Sequence, residues 1–325
     1  MLDRINSVNK FIAAHMFYIT LTALVLGYLF PIHKSGAELK YFIIFLFATV
    51  TFFSAIAISI NEFFQVLKQP KLPIWMLFIV HFCGPVLVYL LAISVYPDDT
   101  YNRVGMLIAS ILPMGVSTII WVSILRGKIA LSIAAVTLDT LVAPFIVAIF
   151  IKLFFQEHIN IDYRIMLAEM LLMVSVPSIL GMVAHNCLAN KQTLFKQVTT
   201  IGALLSKLCL LVVVYICVAT VVPDIVIDTR MLKLMLVLAI VVMISFTLGY
   251  LAGLPFKALG RDTLISVLYT IGIRNTNFGI IIAVGYFEPP VAVPVTLMIL
   301  FQQPTAALIT RIINRIMPED TNLQK

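Results

Sequence analysis

Apolar residues run along this chain in long stretches, and polar positions gather in the short gaps between them. Ten runs have membrane-spanning length: 11–32, 39–60, 72–95, 104–125, 129–154, 165–188, 200–222, 231–254, 263–287 and 291–313. A helix rises about 1.5 Å per residue, so about twenty apolar residues cross a bilayer core roughly 30 Å thick. The pattern predicts an all-α polytopic membrane protein with ten transmembrane helices. No small-residue cleavage site follows the first run, which reads as a retained helix rather than a signal peptide.

Two runs are interrupted. The fourth carries Leu112-Pro113-Met114-Gly115-Val116-Ser117-Thr118, and the ninth carries Thr270-Ile271-Gly272-Ile273-Arg274-Asn275-Thr276-Asn277-Phe278-Gly279. Ten spans divide into two sets of five, about 11–154 and 165–313, and an odd number per half forces the halves into opposite orientations. Shifted by 160 residues, Gly115 falls on Asn275 and Pro144 on Pro304. Interrupted segments at matching places of inverted halves point to a central solute site. The expected fold is therefore two inverted five-helix repeats, with broken helices 4 and 9 crossing at mid-membrane.

Each break frees backbone groups that have no intrahelical partner. Half-helix N-termini suit an anion and C-terminal ends a cation. Asn275, Thr276, Asn277, Ser117 and Thr118 surround the breaks and are candidate substrate-binding residues. The plainer alternative is that they only satisfy freed backbone groups.

Charge sharpens this. Arg274 lies about ten residues from the charged Arg261-Asp262 pair, near the bilayer centre, where an arginine costs several kcal/mol and is normally partnered and functional. Asp139 lies at a similar depth on the fifth span, so an Arg274–Asp139 pair is expected, directly or through water. It is either a structural lock or a proton-linked gate. His81, on the third span near Pro85, either faces this site or is an ordinary satisfied histidine. Glu169 and Lys207 lie nearer the surfaces and can snorkel.

Composition agrees: 62% of residues are hydrophobic and 11% charged, far from a soluble domain. The net charge of +7 follows topology. Thirteen lysines and arginines, among them Arg4, Lys10, Lys68, Lys71, Arg126, Lys128, Lys191, Lys196, Lys257, Arg261, Arg311 and Arg315, fall on the side of the termini, against seven on the other, among them Lys40, Arg103, Lys152, Arg164, Arg230 and Lys233. Asp98, Asp99, Asp224, Asp228 and Glu288 fall on the other. Both termini are thus expected in the cytoplasm, in a multi-pass protein of the cell membrane. With no concentrated basic face, nucleic acid is not an expected partner. The four cysteines have no paired spacing and read as small buried hydrophobes, and the histidines form no zinc pattern. No nucleophile–base pair or metal cluster sits at a shared depth, so neither an enzyme nor a cofactor is expected.

The segments Leu112-Pro113-Met114-Gly115, Leu125-Arg126-Gly127-Lys128-Ile129-Ala130-Leu131-Ser132, Ala143-Pro144 and Gly272-Ile273-Arg274-Asn275-Thr276 resemble the paired signatures of the bile acid:sodium symporter family. Leu67-Lys68-Gln69-Pro70-Lys71 is similar to that family's basic linker before the third span. The resemblance implies a core of helices 3–5 and 8–10, a panel of helices 1, 2, 6 and 7, and transport by alternating access. It also implies where sodium ligands would stand, and most are changed. The family's Ser-Asn pair becomes Thr118-Ile119; the serine of the turn is kept as Ser132, but the threonine one turn later becomes Val136. The acidic residue becomes Thr270, the following glutamine becomes Arg274, and the third-helix glutamine falls at Val80 or, with a one-residue gap, His81. Too few oxygen ligands remain for a hard cation. Ser132, Thr270, Asp139 and His81 stay as ion-coupling or gating candidates, with a proton in place of sodium.

The expected function is a secondary transporter of a small carboxylate-type organic anion, with Arg274 replacing a sodium ion. Ordinary sodium-coupled symport is the alternative. A ligand sensor or scaffold is the alternative from another class, and short loops without a signalling domain speak against it.

Overall fold

The computed structural model describes residues 2–32, 36–68, 70–155, 162–221 and 228–317; Asp224 lies outside them. Among the described residues every regular element is helical. The helices are α1 (Leu2–Ala14), α2 (Met16–Leu29), α3 (Gly36–Ala55), α4 (Ile60–Leu67), α5 (Lys71–Phe78), α6 (Gly84–Val95), α7 (Thr100–Ile111), α8 (Thr118–Ile124), α9 (Ile129–Phe155), α10 (Tyr163–Met170), α11 (Val176–Leu188), α12 (Gln192–Val221), α13 (Thr229–Gly253), α14 (Arg261–Gly272), α15 (Thr276–Tyr286) and α16 (Pro289–Ile316).

Six continuous helical stretches are long and apolar enough to cross a membrane: Lys71–Val95, Ile129–Phe154, Tyr163–Leu188, Gln192–Thr220, Thr229–Leu259 and Pro289–Ile316. Among the described residues, the other four apolar runs carry no stretch that meets both the length and the apolarity. Run 11–32 is divided at His15, and the apolar part of α3 is only Leu39–Ala55. Runs 104–125 and 263–287 are each split into two helices, α7 with α8 and α14 with α15.

Proline explains two local departures within the long stretches. Pro85 has no N–H to give the His81 carbonyl, and Pro177 none for Met173. At both places the chain widens into a π-turn, Ile79–Cys83 and Leu171–Ser175. Such turns shift side chains off the regular helical face and are frequent at functional sites. Asp side chains fix three helix starts: Asp99 accepts from Asn102 N at 3.0 Å, Asp162 from Arg164 N at 2.9 Å and Asp228 from Arg230 N at 2.9 Å.

Packing divides the helices into two groups. In one, α12 lies against α1, α2 and α3, and α3 against α11. In the other, α13 lies against α14 and α16, α16 against α7 and α15, and α9 against α5, α8 and α14. The main apolar core spans both, from Phe47 and Val213 to Leu268, Phe278 and Met298. Lipid-like exposure of Phe45, Leu153, Leu232 and Leu236 on the outside fits helices whose outer faces meet hydrocarbon.

Close approach of α13 to α14 is set by glycines, and Gly249 is the one that meets backbone at close range. A Cβ at Gly249 would lie 2.5 Å from the Leu268 carbonyl oxygen and 3.0 Å from its Cα, backbone atoms that cannot move aside. Gly285 has only the Lys40 stem near it, at 3.7 Å. Gly249→Ala should therefore lower stability by about 1–3 kcal/mol through overpacking. Gly285→Ala should be neutral or stabilising by up to about 1 kcal/mol. Thermal unfolding of the two purified variants in detergent checks this, and equal melting temperatures would count against the packing.

Candidate functional site

The two chain breaks lie against each other. After α7 the backbone is extended at Leu112, and after α14 it is extended at Ile273. The extended pieces pair antiparallel, with Met114 opposite Arg274. Gly115 N donates to Ile273 O at 2.8 Å, and Asn275 N to Pro113 O at 2.7 Å. Glycine is needed at 115, because a Cβ there would stand 2.9 Å from Arg274 O.

In this kind of antiparallel pair the two bridged residues turn their own N–H groups away from each other. Buried in a dry interior, each must find an acceptor. Met114 N donates to Asp139 Oδ2 on α9 at 2.6 Å, and Arg274 N donates to Gln302 Oε1 on α16 at 2.8 Å. The ribbon is thus clamped from both sides by one carboxylate and one amide.

Asp139 is fully buried, and its second oxygen is occupied as well: His81 Nε2 lies 2.5 Å from Oδ1. The π-turn Ile79–Cys83 carries His81 into this position. The direct Arg274–Asp139 pair expected from the sequence is therefore not formed. His81 and the Met114 amide take the carboxylate instead. Asp139 still acts on Arg274 electrostatically. The guanidinium reaches towards span 3, where a Cβ on Gly84 would come within 3.0 Å of Nη2. Arg274 is 2% exposed, and neither Nε nor Nη1 has a hydrogen-bond partner among the described residues.

The remaining candidates fall into place around it. Thr270 Oγ1 donates to Ser132 Oγ at 2.9 Å, both fully buried. Asn275 caps α15, accepting from Phe278 N at 3.3 Å. Buried Thr118 Oγ1 and Asn277 Oδ1 have no partner among the described residues, and Thr276 is buried beside them. Ser117 stands 3.5 Å from Gln303 Nε2, whose Oε1 accepts from Trp121 Nε1 at 2.9 Å.

Two features escaped the sequence reading. Gln302 is one, and its signal was available: Gln302-Gln303-Pro304 is a polar pair before a proline inside an apolar run. The other is Glu169, which does not snorkel. It is 7% exposed, lies 2.6 Å from Lys40 Nζ and accepts from the Tyr286 hydroxyl. The Lys40 ammonium also sits 4.3 Å from the Tyr286 ring centroid. One cluster thereby ties α3 and α10 to the far end of α15. Lys207 is likewise engaged, donating to the Asn9 side chain at 2.9 Å.

Replacing Asp139 with alanine removes the acceptor of two groups and leaves Arg274 uncompensated. The expected loss is about 3–5 kcal/mol. The double variant Asp139→Asn/Arg274→Gln should be milder than the two single changes added, with a coupling of about 0.5–3 kcal/mol. Melting temperatures of the four proteins give the cycle; simple additivity would mean that the two charges ignore each other.

With this geometry in view, comparison with known proteins gives concordant results. A model of the "Sodium Bile acid symporter family" matches residues 43–225. "Uncharacterized protein YbaS" of Bacillus subtilis (strain 168) is 28% identical over 298 residues, covering 91% of this chain and 96% of the relative. "Uncharacterized sodium-dependent transporter YocS" of the same organism is 25% identical over 297 residues, covering 90% and 88%.

Proposed function

The chain belongs to the sodium bile acid symporter family, whose members are membrane transporters and not enzymes, and from that premise we propose that it carries a small carboxylate-type organic anion across the cell membrane. Transport is by alternating access, in a fold of ten spans arranged as two inverted halves with both termini in the cytoplasm. Helices 3–5 and 8–10 form the moving core and helices 1, 2, 6 and 7 the panel. The Asp139 and Gln302 clamps support the inverted halves: each comes from the last span of its own half and accepts the N–H of the bridging residue.

The observation that carries the reading is Arg274. A buried guanidinium with two unpartnered nitrogens, at the N-terminal end of α15, is a built acceptor site for a carboxylate. Beside it, the two hydroxyls at family sodium positions bond one another, Thr270 to Ser132. A fixed positive charge thus stands in for the mobile ion, with Asn275, Thr276, Asn277, Ser117 and Thr118 lining the approach. The cluster of Lys40, Glu169 and Tyr286 joins panel to core on the outer side, so it must open when the site faces outward.

A second reading, sodium-coupled symport, is favoured by the family's description as sodium symporters and by the name of the YocS relative, "sodium-dependent transporter". Sodium would then be held by Ser132 and backbone carbonyls.

Uptake of a carboxylate into proteoliposomes should proceed without sodium, and Arg274→Gln should weaken its binding about tenfold to a hundredfold, the worth of one charge-assisted hydrogen bond. Uptake by the unmodified protein that requires sodium, with one or more ions per anion, would sink the Arg274 reading and favour ordinary symport.

A further inference from the structure

We propose that the His81–Asp139 pair is the proton-binding site of this protein, and that it loads one proton with each carboxylate anion held by Arg274; this rests on the preceding reading of Arg274. The atoms define the site closely. Asp139 Oδ2 accepts from the Met114 amide and Oδ1 lies 2.5 Å from His81 Nε2, and an ionised carboxylate there can only accept. The His81 ring therefore carries its hydrogen on Nε2, and in the neutral ring the other nitrogen is a bare acceptor. That nitrogen, Nδ1, is buried and has no hydrogen-bond partner among the described residues. It is the atom that takes the proton.

Charge counting says when. The Arg274 guanidinium and the Asp139 carboxylate sum to zero in a layer where the side chains are almost fully buried. An incoming carboxylate leaves a net negative charge there, which a low-dielectric interior resists strongly. One proton on His81 restores neutrality. Binding of anion and proton must then favour each other, and by linkage each raises the affinity for the other by the same factor.

Other ionisable groups on the elements packed here do not substitute. Around α9 and the Ile79–Cys83 turn, Glu62 on α4 binds the Ser59 amide, and Lys71, Arg164 and Arg230 are exposed at helix starts. Arg103 on α7 bonds Thr100, Tyr101 donates to Glu288, and Glu169 on α10 holds Lys40. Lys233 on α13 donates to Val95 O, Arg261 on α14 to Met317 O, and Asp262 lies 3.6 Å from Lys128. The Tyr269 hydroxyl is spent on Ala306 O and Thr310, Tyr89 packs on Phe154, and Tyr163 and Tyr250 pack against the main core. Cys83, on the turn itself, is a neutral thiol whose loss of a proton would add negative charge, the wrong sign. Among these ionisable groups, only His81 presents a buried ring nitrogen without a hydrogen-bond partner among the described residues.

The test uses the full chain in proteoliposomes with labelled pyruvate, gluconate and cholate as probes, and protein-free vesicles subtracted for leak. Exchange of a probe at equal pH on both sides reports binding and turnover of the anion with no proton gradient to drive it. An inward proton gradient should then drive accumulation up to about tenfold per pH unit, with one proton entering per carboxylate, reported by a trapped pH dye. His81→Gln should abolish both the accumulation and the proton entry. Should that variant not fold, the unmodified protein still decides: protection against thermal unfolding by the exchanged probe should need up to about tenfold more probe per pH unit as pH rises. Exchange with no proton entry and no pH-dependent affinity would overturn the proton site and leave the Arg274 reading standing. Absence of exchange for every probe, or exchange that needs sodium, would overturn the Arg274 reading and this inference with it.

Discussion

Everything at the centre of this protein depends on a two-residue antiparallel bridge, Met114 opposite Arg274, where helices would otherwise leave unpaired backbone at membrane depth. Hydrocarbon offers no hydrogen bonds, so a break is tolerable only if protein groups satisfy it. The bridge satisfies four groups internally and hands the two outward N–H groups to Asp139 and Gln302. Those two clamps then dictate the rest. Asp139 brings a charge that must be balanced, which accounts for His81 and Arg274, and Gln302 requires α16 to run past the second break.

The same burial that makes the bridge stable makes the site closed. Arg274, Asp139, His81 and Thr118 are all within a few per cent of complete burial. A solute could reach them only if the packing around the two breaks opened. At the outer end that contact is held by Lys40, Glu169 and Tyr286, three polar groups from three helices, rather than by apolar packing alone.

Much of this was readable along the chain. The positions of both breaks follow from Pro113-Met114-Gly115 and Gly272-Ile273-Arg274-Asn275, and Arg274 and Asp139 stand out because charges are so costly at that depth. What sequence could not supply is the choice of partner. Depth alone puts Arg274 and Asp139 in one layer, but Pro85 opens the π-turn that swings His81 onto Asp139, and that rotation is a property of the three-dimensional helix. Glu169 was misread for a related reason: its distance from the surface is compatible with snorkelling, and only the approach of α3 and α15 supplies Lys40 and Tyr286. The long runs overstated continuity elsewhere, since 11–32 is apolar enough throughout yet is divided at His15.

In the proposed reading a side chain takes the place of a bound ion, and that changes what the site would do. A mobile cation arrives with the solute and leaves with it, so its gradient can drive transport. Arg274 is covalently fixed, and it attracts an anion equally on both sides of the membrane. A fixed charge therefore confers affinity without direction. Direction has to come from a second group whose charge changes as the site moves between the two faces. Thr270 and Ser132, bonded to each other, carry no charge to change. His81 does: a single protonation turns the neutral Arg274–Asp139 layer positive, and the occupied site neutral again once the anion is in place. The arginine and the histidine are two halves of one requirement, and the presence of the first at this depth gives the second its reason.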